Sequence, residues 1–148
     1  MQYKPGSNGK TGSTIDSIYI GIDFSFFTFV KKIFGMKEQL LKLITASQKG
    51  LLAFNEVIKL IDTHYNHQPT AFKNGNLYNA ATQNQGSARV FTCAKLNNLS
   101  AADTLWLFAE HYQSVLANPD ATDHQNIRQF MTYGWDGVVF EGEALSAK

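Results

Sequence analysis

NPDATDHQNIRQFMTYGW, residues Asn118–Trp135, carries the densest cluster of reactive side chains in the chain, and its reading decides the fold around it. Pro119 pushes Asn118 out of the helical region, so Asn118-Pro119-Asp120 is turn chemistry. Thr122 or Asp123 is the expected helix cap, because either side chain can accept a free backbone N–H. Ile127, Phe130, Met131 and Gly134 then recur at helical spacing and predict one buried face. His124 and Arg128, four apart, share a different face. The five-donor fork of Arg128 can reach back over residues 118–123, where Asp120, Asp123 and the turn carbonyls offer acceptors. A helix that buries one side and presents an imidazole and a guanidinium on the other is a candidate site.

Outward from that helix, the chain of 148 residues, 44% hydrophobic and 13% aromatic, reads as one compact domain. A formal net charge of +1 gives no global pull towards nucleic acid, membrane or acidic partners. The single Cys93 excludes an intramolecular disulfide; set between apolar neighbours, it reads as an inert buried thiol in a reducing compartment. No run reaches the roughly 18 uncharged apolar residues that a membrane span needs.

Residues 1–35 differ from the rest. Met1 to Thr14, rich in Gly, Ser and Lys, reads as disordered. Ile15 to Phe34 is crowded with Ile and Phe, and its SFFTFV hexamer is β-prone. Asp16 and Asp23 interrupt the run and Lys31-Lys32 follow it, an order that does not fit a secretory signal. Residues 1–35 are therefore expected to be a leader, either disordered or a mis-assigned start with Met36 as the natural first residue. From Met36 the pattern predicts a helix to about Gln48-Lys49-Gly50, then a second through Phe54, Val57, Ile58, Ile61 and Tyr65, stopped by His67-Gln68-Pro69. Asn74-Gly75 is a type I′ turn signal between short strands at 70–72 and 77–78. The polar stretch 79–87 reads as an ordered loop. Ala88–Leu96 reads as a helix started by Ser87, although Val90-Phe91-Thr92 would also suit a strand. Ser100 caps an expected single helix over Ala101–Ala117, and Gly137–Phe140 predicts a last strand before a frayed tail. The fold class is mainly α, a single small helical domain with a short β-hairpin, with α+β as the alternative.

Four blocks, PTAFKNG at Pro69–Gly75, NQGSARVF at Asn84–Phe91, LANPDATDHQNIRQFM at Leu116–Met131 and GWDGVVFEG at Gly134–Gly142, stand in an order and spacing that resemble the HopJ-type effector family. The resemblance spans Met36 to Leu145 and sets the expected domain at 36–145. It implies a bacterial protein of cytoplasmic location, with secretion into a host cell implied by family resemblance alone, and it carries no established reaction. One departure is neutral Gln113, where family members often place a basic residue.

Three constellations could carry chemistry. Asp62, His64 and His67, with Asp123 and His124 elsewhere, are proper metal-ligand types, but they straddle a helix end without HExxH or paired-Cys spacing; no metal and no cofactor is expected. Ser87 with His124 and Asp120 or Asp123 would suit a hydrolase, but no GxSxG elbow surrounds Ser87. Glu110 with His111 reads as a solvated helix face. The third is a ligand-binding set of Asn84, Gln85, His124, Asn126, Arg128 and Trp135, with Asn79, whose amides and guanidinium suit recognition more than catalysis. The competing reading has these amides pinning the loop by satisfying buried backbone groups. From Met36 onward nine Lys/Arg face ten Asp/Glu, a formal −1 with no basic stripe, so nucleic acid is not an expected partner. The sequence therefore favours a binding or interaction domain for an unknown protein or small-molecule partner. A small hydrolase or metal-dependent enzyme using His124, Arg128 and nearby acids is the alternative.

Overall fold

The computed structural model describes residues 23–148, which fall in two compact units, one ending at Phe34 and one covering Gly35–Lys148. The expected disorder of Met1–Thr14 lies outside the described residues. Helix α1 is Phe24–Gln48. In its first turns Phe24, Phe26, Phe29 and Phe34 are exposed, and SFFTFV is helical rather than extended. Among the described residues, no helix is long and apolar enough to cross a membrane.

In the second unit, Met36, Leu40 and Ile44 repeat every four residues and are buried, so this stretch of α1 presents a continuous apolar stripe. Helix α2, Phe54–His64, buries Val57 and Ile61 at the same spacing, and Glu56 accepts the Ala53 N–H at 2.9 Å to close its first turn. It ends three residues before the predicted stop. Tyr65–His67 forms strand β1, paired antiparallel with β5, Leu145–Ala147, so the tail expected to fray is a strand with Leu145 buried.

Strands β2 (Phe72–Asn74), β3 (Leu77–Asn79) and β4 (Val138–Phe140) form a second antiparallel sheet in the order β3-β2-β4. Asn74 pairs with Leu77, which leaves Gly75 and Asn76 as the turn residues, one position later than expected. Gly75 takes φ +56°, and a Cβ there would overlap the Gln129 amide and the Tyr133 ring, so only glycine fits.

Helix α3, Gln85–Leu96, resolves the helix-or-strand ambiguity in favour of helix, but Asn84 rather than Ser87 holds the cap position. The predicted Ala101–Ala117 helix is broken into α4, Ala101–Trp106, and α5, Glu110–Ala117. Ser100 does cap α4, its Oγ accepting the Asp103 N–H at 3.1 Å. Helix α6, Gln125–Tyr133, is followed by a 3₁₀ turn at Gly134–Gly137 that leads into β4. His124 takes the cap position expected for Thr122 or Asp123, and Met131 is 45% exposed rather than buried.

The core is organised around Phe91 on α3. Its ring lies 4.8 Å from Phe130, 5.3 Å from Phe108, 6.2 Å from Phe72 and 6.3 Å from Trp135, between centroids, so one side chain joins α3, α6, the segment after α4 and the sheet. Such offset and edge contacts add to area burial. Cys93 is fully buried nearby, and desolvation pushes its thiol up to about 12, which makes it unreactive at neutral pH.

Truncating a wholly buried phenylalanine removes its transfer energy and leaves a cavity, so Phe91→Ala is expected to cost about 3–5 kcal/mol. Urea unfolding measures this; a loss below about 1 kcal/mol would show that the hub is not where the core's stability lies.

Candidate functional site

The N-termini of α2, α3, α5 and α6 open on one cleft of about 400 Å³. Phe54 is the first residue of α2. Asn84, Gly86 and Ser87 come from the start of α3, His111 from α5, and His124 through Ile127 from α6. Phe108 and Leu77 complete an apolar wall. Each helix start concentrates about half a positive charge and leaves backbone donors without intrahelical acceptors. At α2 that role is filled, since Glu110 Oε2 accepts the Phe54 N–H at 2.6 Å. The N–H groups of Gln85, Gly86, Ser87, Gln125 and Asn126 find no acceptor among the described residues.

Three of these helix starts follow a residue held at positive φ without being glycine: Asn84, Ala109 and His124, each at φ +49°. Asn84 and His124 take the left-handed helical region, which asparagine and histidine enter more readily than most residues. Ala109, at ψ −124°, occupies a region nearly reserved for glycine, at a cost of order 1–3 kcal/mol. The reversal it makes breaks the expected long helix and swings His111 towards His124. Strain of this kind persists where the surrounding structure over-determines the backbone, which is common at functional sites.

The two imidazoles lie against each other with ring centroids 5.0 Å apart and planes tilted by 34°. His111 also meets the edge of Phe54 at 5.0 Å, and Phe54 stacks on Phe108 at 5.9 Å. Each imidazole has a carboxylate at long range: Glu110 Oε1 is 4.0 Å from His111 Nε2, and Asp123 Oδ2 is 3.7 Å from His124 Nε2. Neither ring makes a hydrogen bond among the described residues, and both side chains are about one-third exposed.

Behind the cleft lies a buried lattice of side-chain amides. Asn79 Oδ1 accepts from Asn126 Nδ2 and from Asn84 Nδ2, both at 2.8 Å. Asn79 Nδ2 returns a bond to Asn126 Oδ1 at 3.1 Å, and Asn74 Nδ2 donates to the Asn126 carbonyl at 2.8 Å. The hairpin is thus tied to the first turns of both α3 and α6.

Of the residues singled out in the sequence, Asn84, His124 and Asn126 line the cleft; Gln85, Arg128 and Trp135 do not. Gln85 Oε1 accepts the Thr70 N–H at 3.0 Å while Nε2 donates to the Gln83 carbonyl at 2.8 Å, so it pins the connector. Trp135 Nε1 donates to Leu99 at 3.2 Å, with its ring against Phe91 and Phe130. Arg128 folds back over its loop: Nε donates to the Asp123 carbonyl at 2.7 Å, Nη1 to Pro119 at 2.9 Å, and Nη2 to Asn118 at 3.0 Å and to Asp123 Oδ1 at 2.9 Å. That last bond holds the Asp123 carboxyl below the usual carboxylate range. Ser87 shares the cleft with His124, but no hydrogen bond joins them. Asp62 is taken by Arg89 at 2.9 Å, and among the described residues no three His, Cys, Asp or Glu converge for a metal.

Gln113 donates to the Ser47 carbonyl at 2.9 Å. Cleft residues that the sequence did not mark as such include His111, Phe54, Leu77 and Phe108, together with Gly86, Gln125 and Ile127. The available signal for His111 was its spacing after Phe108, but its approach to His124 depends on a break that no glycine or proline announces.

The HopJ type III effector protein family matches residues 37–145. A solved structure described as the crystal structure of unknown function protein VPA0580 is similar at 35% identity, covering 87% of this chain and 98% of that one, with a TM-score of 0.66. No curated protein matches.

Two substitutions test this geometry. Relieving the strained backbone should make Ala109→Gly more stable than wild type by about 1 kcal/mol, whereas an unstrained site would lose stability through added chain entropy. Arg128→Ala should cost about 1.5–3 kcal/mol and Arg128→Lys most of that, because an ammonium cannot reproduce the fork. Urea unfolding decides both; an Arg128→Lys protein as stable as wild type would show that charge alone suffices.

Proposed function

The chain belongs to the HopJ type III effector protein family, and from that premise we propose that it is a ligand-binding domain whose site is the cleft between His111 and His124. The observation that carries this reading is the imidazole pair: two tilted rings at 5.0 Å with no hydrogen bond among the described residues, set in a cleft bordered by strained backbone. Arg128, Gln85 and Trp135, by contrast, spend their polar atoms on the scaffold.

The cleft residues lie between Phe54 and Ile127, inside the matched segment, which supports a domain at 36–145 that carries the site. A hydrolase fits less well, because Ser87 lacks a base within hydrogen-bond reach and the Asp123 carboxylate is committed to Arg128. The working role is recognition in the cytoplasm; the family description names a type III effector, and delivery into a host cell is the further role this reading allows.

A fragment screen read by amide and imidazole NMR shifts of the full chain tests the reading. Compounds that bind should perturb His111, His124, Gly86 and Gln125 together and saturably. They should also raise the melting temperature, with about 2.7 kcal/mol of added stability at a free concentration of one hundred times Kd. Hits confined to another face, or none at the cleft, would contradict it.

A further inference from the structure

The cleft gathers backbone donors at the starts of α3 and α6, beside the acceptor oxygens of Asn84, Ser87 and Gln125. Glu110 is engaged by the Phe54 N–H and Asp123 by Arg128, and the approach of each carboxylate to its imidazole is long, at 4.0 Å and 3.7 Å. The oxygens of Asn79 and Asn126 are consumed within the amide lattice. Free donors remain: the ring N–H groups of His111 and His124, and the backbone N–H groups at the starts of α3 and α6. Opposite them stand Phe54, Phe108 and Leu77, which a purely inorganic ion would leave wet.

We propose, resting on the cleft being the binding site, that its ligand is a small organic acid. The anionic head sits between His111, His124 and the helix starts, and the apolar body lies on Phe54 and Phe108. Bonds from the ring N–H and backbone donors to a charged head group are charge-assisted and supply the preference for an anion. The planar wall supplies the preference for an aryl or alkyl body over a bare ion. Carboxylate and phosphate heads share this chemistry, and the probes separate them.

The experiment titrates the full-length protein with benzoate, phenyl phosphate, benzamide and inorganic phosphate, following the amides of Gly86, Gln125 and Asn126 and both imidazoles by NMR. Benzoate, phenyl phosphate or both should bind saturably at these residues. Neutral benzamide and inorganic phosphate should each bind roughly tenfold more weakly or worse, the scale of one lost charged hydrogen bond. The larger response of the two aryl acids identifies the head group. His124→Asn, which keeps a residue tolerant of the left-handed backbone, should weaken the preferred acid roughly tenfold and benzamide by less. Benzamide binding there as tightly as the acids would overturn the anionic ligand and leave the cleft as the site. Failure of both acids while screen hits still occupy the cleft would do the same. An absence of any cleft ligand in either experiment would overturn both.

Discussion

The structure depends on the exchange of hydrogen bonds between Asn79 and Asn126. Both side chains are buried, Asn79 at 1% exposure and Asn126 at 6%. An unpaired buried amide is costly, so the pair is stable only because each oxygen and each NH₂ meets the other. Asn79 belongs to the hairpin and Asn126 to the second position of α6; Asn84, at the cap of α3, joins through the same Asn79 oxygen. One amide therefore fixes the relative placement of a strand and two helix starts. Apolar packing around Phe91 holds the same elements together but is non-directional. The amides supply register.

That placement brings strained helix starts to one rim. Asn84, Ala109 and His124 each reverse the chain just before a helix, and each reversal points the following turn at the cleft. The outer side is held by Arg128, whose guanidinium bridges three carbonyls and Asp123 across the Asn118–Asp123 loop. His124 is thus positioned from two sides, by the loop lock before it and the amide lattice after it. The side chains expected to bind a ligand divide accordingly. Those deepest in the loop, Arg128 and Gln85, hold the scaffold, while the imidazoles on the rim stay free of hydrogen bonds.

Much of this was legible in the sequence because its signals were local. The stripes of α2 and α3, the cap at Ser100, the hairpin glycine and the reach of Arg128 each follow from spacing or donor geometry within a dozen residues. What was not legible depends on contacts distant in the chain. The break before α5 is made by Ala109, a residue with no turn preference, so periodicity ran straight through it and left His111 on a solvated face. The β1–β5 pairing joins Tyr65 to Ala147, and three residues of tail carry too short a pattern to announce a strand. Asn79 and Asn126 read equally well as ligand-binding amides or as pins for the loop, and Asn74 read only as a turn residue. Only their mutual placement distinguishes a lattice from a loop.

The claim that these amides act as one unit is tested most directly by a double-mutant cycle on Asn79→Ala and Asn126→Ala, measured by urea unfolding. Each single change strands the other's buried amide, so the pair should cost less than the sum, with a coupling of about 1–2 kcal/mol within the range for directly bonded residues. Additivity to within about 0.3–0.5 kcal/mol would contradict the account, since it would mean that packing alone sets the hairpin against α6.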